Sequence, residues 1–176
     1  RKRYKFTNVE LMQNIEAQHK SIILMCAHYG SWEWIFILQP YVKSKGNAVY
    51  KPLANKYFDR LVKRIRAKYN SYLIATKEVI PTLIQEKRDG IISINGFVSD
   101  QSPKLNKAFH WNEFMGVNVP VHTGAEMLAK KLDMAVVSFK VKKVKRGYYE
   151  TTFETITLNP KDYEDYEITD IFLKLV

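Results

Sequence analysis

The chain has 176 residues, enough for one domain with its own hydrophobic core. Hydrophobic residues form 46% of it and aromatic residues 13%, which excludes a disordered chain. A single cysteine excludes a disulfide framework and a cysteine-rich zinc site. The four histidines show no metal-binding spacing, so we expect no metal. No apolar run approaches the ~20 residues that a membrane-spanning helix needs.

The formal net charge of +10 is the strongest compositional signal. It predicts attraction to a polyanion, such as nucleic acid, anionic lipid, a phosphorylated ligand or an acidic protein. Much of the charge lies in three clusters, at residues 1–3, 63–66 and 140–146. A basic surface that is merely solvated is the alternative.

The first predicted element is a helix that Asn8 caps. The segment 21–27 is short and, apart from Ser21, apolar, which is typical of a buried parallel strand. A helix is predicted from Ser31 to Gln39, with Pro40 ending it, and residues 47–50 predict another strand.

Residues 56–69 show the clearest helical pattern. At about 100° per residue, the apolar side chains fall in one narrow arc, and these are Phe58, Leu61, Val62, Ile65 and Tyr69. Arg60 and Lys63 lie on the opposite side. Arg66 lies at the edge of the apolar arc, where its guanidinium could reach into a cleft.

The remaining elements complete an alternating pattern. They are a strand at 72–74, a helix at 76–87 ended by Gly90, a strand at 91–97, a polar loop at 98–111, a helix capped by Thr123 and reaching Lys131, and strands at 135–141 and 149–158. This order predicts an α/β fold, a mixed, mainly parallel sheet with helices on both faces.

Both ends of the sequence have the features of a truncated chain. It opens in a basic run, and residues 168–176 are a helical pattern without a stop signal. We therefore expect one domain over residues 1–176 that is a fragment of a longer protein.

His28 follows the apolar run 21–27, and Glu33 follows it five residues later. In open α/β sheets, ligands bind beyond the carboxyl ends of the strands. A carboxylate that orients an imidazole makes it a general base, so His28 could activate a substrate hydroxyl for acyl transfer. From spacing alone, a capping histidine beside a solvated glutamate is an equal alternative.

Other side chains near this pair have two interpretations. Cys26 is predicted to be a packed strand residue, but an extended strand would direct it to the same side as His28, which leaves a thiol nucleophile open. The aromatic residues of the following helix either line an acyl groove or rest at the membrane interface, and the equal alternative is that they pack the helix against the sheet; these are Trp32, Trp34, Phe36 and Tyr41. The other histidines, His19, His110 and His122, show no pairing pattern and are predicted to lie on the surface or in loops.

The segment HYGSWEW resembles the H-x4-D/E signature of the lysophospholipid acyltransferase superfamily. Three further segments resemble motifs of its lipid A biosynthesis (late) acyltransferases, and these are VYKPLANKYFDRLVKRIRAKY, SDQSP and FMGVNVPVHTGAEMLAKKL. Four ordered motifs cover nearly all of residues 21–160. The resemblance implies a glycerol-phosphate-acyltransferase-like fold. Compared with the family, we expect this fragment to lack the N-terminal membrane anchor and the C-terminal end.

The resemblance also implies roles for particular residues. His28 and Glu33 match the catalytic pair, Arg66 matches a motif arginine, and Asp100 matches the loop aspartate near the active site. Gln101 follows that aspartate within the same motif. Lys51 stands where the family often has arginine, which is a departure from the motif that leaves its exact contact open. Arg66, Asp100, Lys51 and Gln101 are thus expected to bind substrate or support catalysis.

An enzyme of this kind moves a fatty acyl chain from an acyl-carrier thioester to a hydroxyl of a lipid A precursor and needs no cofactor. The donor would be acyl-acyl carrier protein or acyl-coenzyme A. The implied partners are the acidic carrier protein, a phosphorylated glycolipid and an anionic membrane surface, at the cytoplasmic face of the bacterial inner membrane, with no nucleic acid. The alternatives are another lysophospholipid or glycerolipid acyltransferase, a basic nucleic-acid-binding module, and a catalytically inactive membrane-surface domain.

Overall fold

The computed structural model describes residues 2–114 and 116–176. Arg1 of the basic N-terminal run and Met115 of the last motif therefore lie outside the described residues. The strands are β1 (Tyr4–Phe6), β2 (Ile22–Cys26), β3 (Lys45–Tyr50), β4 (Tyr72–Ala75), β5 (Ser93–Val98), β6 (His110–Phe114), β7 (Val117–Val121), β8 (Ala135–Lys145) and β9 (Tyr148–Thr157). The α-helices are α1 (Glu10–Ala17), α2 (Lys56–Arg66), α3 (Val79–Arg88), α4 (Gly124–Leu132) and α5 (Glu167–Leu175).

Seven of these strands form one sheet in the order β1-β9-β8-β2-β5-β3-β4. All neighbouring pairs in it are parallel except β8 and β9, which run antiparallel. Strands β6 and β7 form a separate antiparallel hairpin. The predicted α/β fold with a mixed, mainly parallel sheet is confirmed.

Strand β2 lies in the middle of this sheet and is buried on both faces. Ile22, Leu24 and Cys26 belong to the core that α1 covers, whereas Ile23 and Met25 belong to the core under α3, α4 and α5. Successive side chains of a strand point to opposite faces, so a strand buried on both faces is typically apolar along its length. The interpretation of residues 21–27 as a buried parallel strand is confirmed.

The N-terminal region differs from the prediction. Val9 occupies the position before α1, and Asn8 does not cap the helix with its side chain. The Asn8 amide instead bonds both backbone groups of Phe153, at 2.8 and 2.9 Å, which ties it to β9. The unpredicted strand β1 pairs in parallel with β9 next to this contact. A distant backbone thus satisfies the Asn8 side chain better than the local helix end does.

A 3-10 segment, Trp32–Tyr41, replaces the α-helix predicted for residues 31–39, and Pro40 lies inside it. The sequence WEWIFILQPY is apolar nearly all round and rich in aromatic and β-branched residues, which have modest α-helical propensity. Its shape is therefore set by packing against the sheet, where Trp32, Ile35 and Ile37 contact the core.

Residues 98–111 are not a loop throughout, because β6 begins at His110. This strand pairs with β7 in the separate hairpin, outside the main sheet, so its alternating burial gives a weak sequence signal.

Helix α3 begins at Val79, later than the predicted Thr76, and ends as predicted before Gly90, which has a φ of 68°. Thr123 takes the position before α4, but its side chain makes no capping hydrogen bond.

Helix α2 confirms the helix predicted over residues 56–69, with a short 3-10 turn at Ala67–Tyr69. Asn55 caps it by accepting hydrogen bonds from the backbone N–H groups of Tyr57 and Phe58. None of its residues is buried.

Within residues 2–114 and 116–176, no helix is long and apolar enough to cross a bilayer.

Candidate functional site

The candidate site lies at the carboxyl ends of β2 and β5, which are adjacent and parallel. Their last residues, Cys26 and Val98, are partners in the register, and the Ser99 N–H donates to the Cys26 carbonyl at 2.9 Å to extend the pairing. His28 and Asp100 each follow two residues later. Because His28 and Asp100 both lie two residues beyond the register pair Cys26–Val98, their side chains come together.

Asp100 bonds His28 at two points. One carboxylate oxygen lies 2.7 Å from the Nδ1 atom of His28, and the other accepts the His28 backbone N–H at 2.8 Å. Because a carboxylate accepts hydrogen bonds, this geometry favours the tautomer with the proton on Nδ1. The Nε2 atom is then free of that proton and can accept one from a substrate.

The chain turns sharply after His28. Gly30 has a φ of 58°, and a Cβ atom there would lie 3.3 Å from Cγ1 of Val141. Only glycine adopts this left-handed conformation at no steric cost. The turn leads into the 3-10 segment and places the Trp32 ring edge-on to the His28 ring, 5.1 Å between centroids.

Glu33 has a different partner from the one that the sequence predicts. Its carboxylate accepts a hydrogen bond from Nε of Arg66 at 3.1 Å and a second from the same guanidinium. The expected Glu33–His28 contact is not formed within the described part of the chain, where Asp100 is the carboxylate on His28. Arg66 lies at the edge of the apolar arc of α2, and its guanidinium reaches Glu33 from there.

A narrow, mostly apolar cavity of about 80 Å³ lies between the 3-10 segment and the sheet. Trp32 and Phe36 line one side, and Cys26 and Gly96 line the other. Since Trp32 also contacts the His28 ring, the cavity begins one side chain away from the imidazole. Trp32 packs on the core, as one of the alternatives for the aromatic residues predicts, and it also lines this cavity.

A larger groove of about 860 Å³ lies beside α2, and four basic side chains line it among a larger number of apolar and aromatic ones; it is called the basic groove below. Lys2, Arg3 and Lys68 contribute there, together with Arg66, which lines the cavity as well. Glu33 also lines the groove. The Glu33–Arg66 ion pair thus stands where the apolar cavity and the basic groove meet.

Cys26 is buried, with 3% of its surface exposed. Burial raises the pKa of its thiol well above the usual range, and the nearby Asp100 charge adds to the effect. A thiolate is the nucleophilic form of cysteine, so this environment disfavours a covalent role.

The other predicted site residues are exposed. Lys51 lies directly after β3, where the chain turns toward α2, and Gln101 follows Asp100 in the loop after β5. Among the described residues, no group of three or more histidine, cysteine or acidic side chains converges as a metal site.

His110 makes side-chain contacts that its sequence position does not predict. Its Nε2 atom lies 2.7 Å from an Asp170 carboxylate oxygen, and its ring stacks on Tyr166 at 4.6 Å. These contacts fasten the β6–β7 hairpin to the start of α5. Because the partners are 60 residues apart in the chain, no local pattern indicates the pair.

A comparison with curated proteins gave no match. A family model does match, over residues 1–176, and its description is bacterial lipid A biosynthesis acyltransferase. The match covers the whole chain, including both strand ends that carry His28 and Asp100. The chain therefore belongs to the bacterial lipid A biosynthesis acyltransferase family, and it is an enzyme that transfers acyl groups.

Proposed function

We propose that this enzyme moves a fatty acyl chain from an acyl-carrier thioester to a hydroxyl of a phosphorylated lipid A precursor, with His28 as the general base. The observation that carries the proposal is the two-point contact of Asp100 with His28 at the carboxyl ends of two central strands. Asp100 acts as a positioning residue, because it holds the ring and its tautomer without touching the substrate.

In this mechanism, Nε2 of His28 takes the proton from the acceptor hydroxyl as its oxygen attacks the thioester carbonyl. A tetrahedral intermediate forms, and its collapse breaks the carbon–sulfur bond. The departing sulfur takes the proton back from the imidazolium. The products are an ester and a thiol, and no residue of the enzyme becomes acylated.

The apolar cavity suits the acyl chain of the donor. Trp32 lines the cavity and contacts the His28 ring, so an acyl chain bound in the cavity would lie within one side chain of the imidazole. Apolar walls favour binding by about 0.8 kcal/mol for each buried methylene. The donor in this proposal is acyl-acyl carrier protein, with acyl-coenzyme A as the alternative that carries the same thioester.

The basic groove suits the acceptor. Lys2, Arg3 and Lys68 could bind phosphate groups of a glycolipid, and Arg66 could do so at the junction with the cavity. The proposed role of Glu33 is then to hold the Arg66 guanidinium in place. This role differs from the orientation of His28 by Glu33 that the motif resemblance implies, and the two make different predictions for mutants.

The proposed location is the cytoplasmic face of the bacterial inner membrane. The net charge of +10 supports attraction to an anionic lipid surface, where each nearby Lys or Arg contributes roughly 1 kcal/mol. A carrier protein, being acidic, would also be attracted to such a charge.

The deciding experiment replaces His28 by asparagine and measures acyl transfer from acyl-carrier protein to a detergent-dispersed lipid A precursor. An amide cannot act as a base, so kcat should fall by roughly 10²–10⁴-fold or more. The matched control is His19→Asn, at an exposed histidine whose φ of 54° asparagine tolerates. Normal turnover by a folded His28→Asn protein would refute the proposed mechanism.

A further inference from the structure

Helix α2 presents an apolar surface to solvent. The exposed fractions are 84% for Tyr57, 57% for Phe58, 49% for Leu61 and 62% for Ile65. On a helical wheel these four side chains span an arc of about 100°, so they form one continuous strip. Their neighbours Val62 and Arg66, by contrast, are only partly exposed and face the protein.

Basic residues border this strip. Helix α2 contains five Lys or Arg residues and one aspartate; Arg64 lies at the free edge of the strip beside Tyr57, and Arg60 follows it toward the polar side of the helix. Lys63 is occupied by its ion pair with Asp59, at 2.9 Å, and by the Tyr50 ring. Arg60 and Arg64 are exposed and project beside the apolar side chains.

We propose that α2 is a membrane-docking helix, whose strip of Tyr57, Phe58, Leu61 and Ile65 enters the interface of an anionic bilayer while Arg60 and Arg64 contact lipid head groups. An exposed apolar face with aromatic residues and a cationic border is the pattern of helices that lie in a membrane interface. The charge complements anionic lipid in particular.

The position of α2 also bears on how a lipid acceptor reaches the basic groove. This part of the inference rests on the proposed function. Ile65 belongs to the strip and also lines the basic groove, with Arg66 on the next position. A bilayer that contacts the strip therefore meets the entrance of the groove. A lipid acceptor could keep its acyl chains in the bilayer while its phosphorylated head enters the groove.

The test is sedimentation of the 176-residue protein with vesicles of phosphatidylglycerol and phosphatidylcholine in equal parts. Leu61→Ser and Phe58→Ser should each weaken binding about tenfold, because each removes an apolar side chain from the interface. Ile80→Ser is the matched control, since Ile80 is 52% exposed on α3, which packs on the other face of the sheet. It should bind like the unmodified protein. Thermal unfolding would confirm that all three variants fold.

The charged border has its own test. The double variant Arg60→Glu/Arg64→Glu should lose binding to these vesicles, whereas Lys131→Glu, at an exposed position of α4, should retain most of it. Equal effects of Leu61→Ser, Phe58→Ser and Ile80→Ser would overturn the proposal. So would a concentration-dependent dimer that Leu61→Ser dissociates without changing vesicle binding, because the strip would then pair two copies of the chain.

Failure of this inference can be told from failure of the proposed function. Vesicle binding is measured without any substrate, so it stands or falls independently of acyl transfer. Leu61 and Phe58 lie outside both the cavity and the groove. Their serine variants should therefore keep normal transfer to an acceptor dispersed in detergent and lose transfer to one embedded in vesicles.

Discussion

The carboxylate of Asp100 accepts the backbone N–H of His28 with one oxygen and contacts Nδ1 of its ring with the other, at 2.8 and 2.7 Å. Asparagine cannot reproduce both contacts. If its carbonyl oxygen accepts the backbone N–H, its NH₂ group faces Nδ1 and favours the tautomer protonated on Nε2. Asp100→Asn should therefore lower kcat by about 10²–10⁴-fold with a smaller change in KM for the donor.

The comparison variant is Glu33→Gln. If Asp100 is the residue that orients His28, Glu33→Gln should affect kcat much less than Asp100→Asn does, in the same steady-state assay. The opposite order, with Glu33→Gln the more damaging to kcat, would restore the His28–Glu33 pair that the motif implies. Thermal unfolding of both variants would separate loss of catalysis from loss of fold.

Arg66 and Arg60 lie on the same helix but have different surroundings. Arg66 pairs with Glu33 and lines the groove, whereas Arg60 is exposed. With the acceptor in detergent, Arg66→Ala should raise KM for the acceptor by about tenfold or more, because a charge-assisted contact to phosphate is lost. Arg60→Ala should leave kcat/KM near the unmodified value. Equal effects of the two changes would show that Arg66 is only a surface charge.

Cys26 tests whether transfer is direct or covalent. Because burial raises the pKa of its thiol, Cys26→Ala should retain acyl transfer, with a loss of about 1 kcal/mol in the free energy of unfolding. Incubation of the unmodified enzyme with the donor alone should give no mass increase on the intact protein. A thioester adduct that disappears in Cys26→Ala would establish a covalent route instead.

Gly96 tests whether the cavity holds the acyl chain. It lines the cavity on β5, and a Cβ atom there has its nearest contact, the Asn47 carbonyl oxygen, at an acceptable 3.6 Å. A single added methyl group therefore fits, and Gly96→Val, once thermal unfolding has shown that it folds, should fill more of the cavity and shift the preferred donor to shorter chains. Mass spectrometry of products from a mixture of donors would measure the shift, and Gly96→Ala should give a smaller one. An unchanged product profile in Gly96→Val would place the acyl chain elsewhere.

The sequence alone determined the elements that carry the site. The apolar run after Ser21 is short and favours a strand that is buried on both faces of a sheet, and this places His28 at a strand end. The apolar arc of α2 also follows from its local spacing, as does the place of Arg66 at the edge of that arc. These features depend on periodicity within a few turns or residues, which the sequence displays directly.

Only the tertiary structure decided which side chains meet. Asp100 reaches His28 because β2 and β5 pair in the register Cys26–Val98, across 72 residues of chain. Glu33 lies closer to His28 in the sequence, but the Gly30 turn and the 3-10 segment direct it to Arg66. The apolar strip of α2 likewise has the periodicity of a core-facing helix, yet the fold leaves it exposed. Side-chain partners and solvent exposure depend on strand register and on how distant segments pack, and neither is encoded in local spacing.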